Sequence, residues 1–175
     1  MKKENILSSI FGYLALTSGI IWFGAYVSRL LSTYMMFEET EPTLKNFLDG
    51  ANLPAVVEVI SPIIILTLIC YLLMIFTFIV FLFSTDLKLK ANGWLFIIAG
   101  IIFITMPFEV VQLIQDYKLT VFFINGDYGS TKIIPLITDW LTKLSSFPVI
   151  LILSYLSIPY LLIFKPFSLK PKNEN

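Results

Sequence analysis

The sequence predicts an all-α integral membrane protein: a four-helix bundle with both chain ends on the cytoplasmic side and short amphipathic helices in its two outer loops. Three observations carry that prediction. The 175-residue chain is 57% hydrophobic with a mean hydropathy of +0.86, above the ~45–50% apolar content usual for soluble domains. Residues 6–28, 59–85, 91–108 and 144–164 contain no Asp, Glu, Lys or Arg, and each run is close to the ~20 residues that cross a bilayer as a helix. Finally, Lys2, Lys3, Lys88, Lys90, Lys165, Lys170 and Lys172 fall at the two ends and the short middle turn, whereas the two longer connections hold only Lys45, Lys118, Lys132 and Lys143. Basic residues collect on the cytoplasmic side, so that side receives both termini and the loops lie outside.

Composition also excludes function classes. Twelve basic and 12 acidic side chains cancel, so no overall field recruits nucleic acid. There is no histidine, which removes bis-histidine haem, most zinc and copper sites and the commonest general base. Cys70 is the single cysteine; dithiol chemistry is excluded, and a small apolar filler is its simplest role. No catalytic motif, cofactor fingerprint or metal-ligand spacing is present. The expectation is a non-enzyme without cofactor or metal.

The first helix is expected at about residues 6–33. Its uncharged run exceeds the ~7–15 residues of a signal-peptide core and no small-residue cleavage site follows, so it reads as a retained span. Gly12, Ala15 and Gly19 form a smooth strip for close helix approach. Ser18, Trp22, Tyr26, Arg29 and Thr33 form a second, amphipathic stripe. Arg29 stands beyond a run already long enough to span, and its plainest reading is an arginine snorkelling to headgroups.

The outer loop at 38–52 is acidic, with Glu38, Glu39, Glu41 and Asp49 against Lys45. Thr40 as N-cap, Pro42 in the first turn and Gly50 as stop predict a short helix with Leu44, Phe47 and Leu48 on its apolar side. The second long helix is expected at 53–84. Glu58 in its first turns complements the positive helix end, and Pro62 deprives the Glu58 carbonyl of its usual partner.

The third helix is expected at 92–116, with Trp94 at the inner headgroup level. Thr105, Glu109, Gln112 and Asp116 recur at helical spacing and share one face. A polar stripe on a spanning helix turns toward protein or water rather than lipid. Pro107 frees the carbonyl of Phe103 half a turn from Glu109. The connection at 117–146 is read as an extended stretch from Leu119 into an Asn125-Gly126 hairpin turn. An amphipathic helix then carries Ile133, Ile137, Trp140 and Leu144 in the outer interface; the alternative for it is a lid or a docking face. The fourth helix is expected at 147–164, with Ser154, Ser157 and Tyr160 as polar groups and Pro159 as a kink.

This topology brings Arg29, Glu58 and Glu109 toward the outer ends of their helices. An arginine fork holds one or two carboxylates, so Arg29 is expected to pair with Glu109, with Glu58 or with both, near Gln112. Three roles compete. A non-catalytic structural or accessory subunit uses the charges to fix helix register, with the lipid bilayer and a protein partner or second copy around it. A small transporter or channel uses Glu109 as a proton or cation site, but needs a polar path through inner helix halves that are nearly all apolar. An intramembrane enzyme has no recognisable machinery.

Overall fold

The computed structural model describes residues 6–38, 43–46, 48, 52–127, 132–137 and 147–168. It is all-helical. Four long helices, α1 (Ile6–Tyr34), α2 (Leu53–Ser84), α3 (Gly93–Ile124) and α4 (Phe147–Phe164), dominate it, and each is long and apolar enough to cross a membrane. Their outward surface is densely apolar: Val59, Phe83, Ile104, Leu153 and Ile163 are all well exposed. That much greasy surface on a chain this small is a lipid-facing surface.

Helix boundaries follow local chemistry. Residues past Tyr34 tighten into shorter bonds, with Met36 N–H donating to the Thr33 carbonyl at 3.1 Å and Phe37 N–H to Tyr34 at 3.2 Å, the usual way to close orphan carbonyls. Pro54 occupies the first turn of α2, where a missing N–H costs nothing. The carbonyl of Glu58 that Pro62 strands is taken by the Ser61 hydroxyl at 2.8 Å.

α1 and α2 approach closely along the glycine strip. A Cβ at Gly12 would stand 3.1 Å from the Phe81 ring, and one at Gly19 would stand 3.2 Å from the Met74 sulfur. α2 also touches α3, and α3 touches α4. Rings join α1 to α4: Trp22 lies 4.7 Å and Phe23 6.3 Å from Tyr155 between centroids. One apolar core fills the middle and the short-turn end, built from residues such as Met74, Phe78, Leu95, Ile98 and Ile102. A second fills the long-loop end around Leu53, Val57, Leu119, Phe123 and Ile133.

The short-turn end is fastened by the segment after α4. Gly93 N–H donates to the Phe167 carbonyl at 3.1 Å, Asn92 pairs with Ser168, and the Lys165 ammonium sits 5.7 Å from the Trp94 ring centroid. Lys165 and Phe167 adopt positive φ of 45° and 59°, so this turn holds a costly backbone in exchange for those contacts. The C-terminal end of α4 therefore lies beside the start of α3. Trp94 is buried beside this segment.

Three expectations are corrected. α3 does not stop near residue 116 and no strand follows; the helix runs to Ile124. Leu119 and Phe123 continue the buried face of Gln112 and Asp116, so the packing of one helical face overrides the strand preference of Thr-Val-Phe-Phe-Ile. The Asn-Gly pair closes this helix instead of turning a hairpin. Gly126, at φ +68°, donates to Phe123 at 3.1 Å while Asp127 N–H reaches Phe122 at 2.9 Å, the pattern of a left-handed glycine C-cap.

In the first connection, residues 43–46 are not helical. Leu44 bridges antiparallel to Phe37, with Glu38 N–H donating to Thr43 at 2.9 Å and Lys45 N–H to Met36 at 3.0 Å. Burial of Phe37 and Leu48 in the second core holds this return in place. Thr40, Pro42, Phe47 and Gly50 lie outside the described residues. In the second connection residues 132–137 are helical, but Ile133 is buried completely against Leu119 and Phe123, with Ile137 packed beside it. This apolar side closes over the helix ends instead of facing lipid. Trp140 and Leu144 lie outside the described residues.

Candidate functional site: a buried polar row between α1 and α3

Two stripes meet inside the helix array. From α3 come Thr105, Glu109, Gln112 and Asp116, continued by Thr120; from α1 come Ser18, Trp22, Tyr26, Arg29 and Thr33. All of these are buried. Their helical spacing puts each set on one face, and the two faces oppose one another because lipid accepts neither.

Arg29 Nη1 donates to Asp116 Oδ2 in a buried ion pair. The expectation was Glu109, Glu58 or both, so the partner is a correction, and its reason is height. Arg29 and Asp116 stand equally far along two helices that run the same way, ~35 Å from their starts at 1.5 Å per residue. Glu109 stands ~10 Å nearer the short-turn end by the same measure. It remains within electrostatic reach of both Arg29 and Asp116. Glu58 is exposed on the outside of α2 and makes no ion pair with another described residue. It does not belong to the row.

Around Glu109 all four helices contribute. Tyr26 of α1, Tyr71 of α2 and Tyr155 of α4 all feel the Glu109 carboxyl electrostatically, and Gln112 lies beside Tyr26. The three tyrosine rings wrap Trp22 at centroid distances of 5.6, 5.3 and 4.7 Å. Such contacts contribute about 0.5–1.5 kcal/mol each beyond area burial. The Tyr155 hydroxyl lies 3.4 Å from Thr105 Oγ1. By contrast, among the described residues Glu109 Oε1, the Tyr71 hydroxyl, Asp116 Oδ1 and Thr120 Oγ1 are buried without a hydrogen-bond partner, and the Tyr26 hydroxyl and the Gln112 amide have at most one another. Uncommitted polar atoms in this number are costly in a low-dielectric interior.

The two ends of the row differ. Toward the long loops lies a cavity of about 20 Å³ lined by Arg29, Thr33, Gln115, Leu119 and Ile137 among others, room for about one water. Toward the short-turn end the buried face of α3 becomes Ile102, Ala99, Ile98 and Leu95. On α2 the Thr77 hydroxyl in that direction is spent on its own helix, donating to Leu73 at 2.7 Å, and Thr67, level with Glu109, likewise donates to Ile63 at 2.7 Å.

No family model, curated protein or solved structure matches this chain. The site therefore has to be read from its own chemistry. Among the described residues no group of three His, Cys, Asp or Glu side chains is gathered to hold a metal ion.

Asp116, Tyr71 and Tyr155 belong to the site but were not singled out as site residues from sequence. Asp116 was on the predicted face, and matching its distance along α3 to that of Arg29 along α1 selects it. Tyr71 and Tyr155 carry a weaker signal, one hydroxyl among several in an otherwise apolar run.

Proposed function

We propose that this protein is a multi-pass protein of the cell membrane, with cytoplasmic termini, that acts as a non-catalytic structural or accessory subunit. The observation that carries this reading is the dead end of the polar row. Polar side chains line the interior from the long-loop end to Thr105 and Tyr155, and from there to Trp94 the buried face of α3 is apolar and the Thr77 hydroxyl on α2 is bonded within its own helix. A conducting path needs polar groups or water across the whole hydrocarbon layer. A buried Arg29–Asp116 pair is best suited to fixing the register of α1 against α3, the best-attested use of buried ion pairs. The helical segment at 132–137 supplies a rigid cap on which a partner subunit can rest.

The test is reconstitution of the purified chain into vesicles bearing a proton or sodium gradient. Leak no faster than in protein-free vesicles is the expected result, together with a stoichiometric membrane partner on extraction in mild detergent. Flux that disappears in Glu109→Gln and survives in Glu58→Gln would instead establish a transporter.

A further inference from the structure

Glu109 is what the Arg29–Asp116 pair leaves over. The buried charged side chains among the described residues are Arg29, Glu109 and Asp116, one positive against two negative, so the row carries one charge to be balanced. The titratable and charged groups within electrostatic range of Glu109 are Tyr26 and Arg29 from α1, Tyr71 from α2, Tyr155 from α4 and Asp116 along α3 itself, and Gln112 stands one turn along α3 on the same buried face.

Tyrosine hydroxyls and a glutamine amide both donate and accept. Among the described residues the Tyr71 hydroxyl has no hydrogen-bond partner, and Tyr26 and Gln112 have at most one another. Such a lining serves a carboxylate by donating to it and a carboxylic acid by accepting from it. A lining fixed in one sense, such as several backbone N–H groups, serves only the ionised form. The cavity of about 20 Å³ beside Arg29 does not include Glu109. A metal cation there would meet the guanidinium, whereas a proton needs no volume.

We propose that Glu109 is an exchangeable proton-binding site, loaded and unloaded from the long-loop end of the helices. One O–H bond forms on a Glu109 carboxylate oxygen as water on that side gives up a proton, and the same bond breaks on release. No onward transfer follows, because the apolar residues beyond Thr105 offer no acceptor. The site senses proton activity on one face and does not conduct. This inference stands whether or not the chain has a partner subunit.

The test is infrared difference spectroscopy of the full chain in vesicles of zwitterionic lipid, following the carboxylic-acid C=O stretch as pH is changed. One band that titrates with a single midpoint is expected in the wild type. It should be absent in Glu109→Gln, displaced in frequency in Glu109→Asp and unchanged in Glu58→Gln. The frequency displacement in Glu109→Asp, which retains a carboxyl at this position, keeps the test decisive if Glu109→Gln does not fold. Absence of a Glu109-dependent band at every pH where the helices remain intact would overturn the proposal. So would a band displaced by sodium at fixed pH, which would make the site one for a metal cation.

Discussion

The Arg29 guanidinium of α1 holds the Asp116 carboxylate of α3 across a buried interface, both side chains being almost wholly removed from solvent at 5% and 3% exposure. Two partners far apart in sequence thus lock two parallel-running helices at one height. Removing one member of such a pair leaves an uncompensated buried charge, which costs about 3–5 kcal/mol. Arg29→Met and Asp116→Leu should each lower stability by that order, and the double variant should recover most of the loss. Unfolding in mixed micelles, read as a double-mutant cycle, measures the coupling; additive losses would show that the pair contributes no interaction of its own.

The close approach of α1 to α2 depends on Gly12 and Gly19. Gly19→Leu must displace Met74, whose sulfur lies 3.2 Å from the position of a new Cβ, and overpacking of that kind costs about 1–3 kcal/mol. Gly24, whose added Cβ would meet nothing within 4 Å, supplies the control: Gly24→Leu should leave thermal stability unchanged. Met74→Ala should relieve part of the Gly19→Leu defect.

At the long-loop end, Gly126 closes α3 in a left-handed conformation with φ +68°. An L residue with a Cβ pays about 1–2 kcal/mol there, and Asn pays least. Gly126→Val should therefore lower the melting temperature and hasten proteolysis just beyond Ile124, while Gly126→Asn stays near wild type. Equal behaviour of the two variants would show that the cap does not limit this end of the helix.

The opposite end offers a covalent readout. Asn92 and Ser168 pair across an antiparallel bridge, where Cα atoms stand about 4.5–5.5 Å apart, within disulfide range. With Cys70→Ala as background, Asn92→Cys and Ser168→Cys should form a disulfide readily on mild oxidation. Gly93→Ala would bring a methyl to 2.7 Å from Phe167 Cβ and should slow that reaction several-fold. Unchanged cross-linking would mean that the segment after α4 does not depend on the bare backbone of Gly93.

Much of this architecture is legible in the chain because the bilayer is a uniform solvent. Any uncharged run near twenty residues must satisfy its own backbone there, and a helix is the only local way to do so. That is why α2 runs from Leu53 to Ser84 and α4 from Phe147 to Phe164, spans readable from hydropathy alone. The face shared by Thr105, Glu109, Gln112 and Asp116 is legible for a related reason, since lipid admits polar stripes only when they turn inward.

Outside the hydrocarbon layer the same reasoning weakens. Residues 119–124 are as plausible in a strand as in a helix by propensity, and the burial of Leu119 and Phe123 against Leu53, Val57 and Ile133 decides the matter. Likewise the connection after α1 turns back at Phe37 and Leu44 because those side chains find a core, a fact distant in sequence.

The sequence by itself determined how many long helices there are and which faces of them are hidden. Only the tertiary structure decided that Asp116 answers Arg29, that Glu58 faces outward and that tyrosines from α1, α2 and α4 gather on Trp22 within electrostatic range of Glu109. The physical reason is that periodicity places residues on a face, whereas ion pairing depends on relative height and rotation between helices. Those quantities are set by the glycine contacts, the aromatic packing on Trp22 and the end fastenings together, and no single stretch of chain contains them.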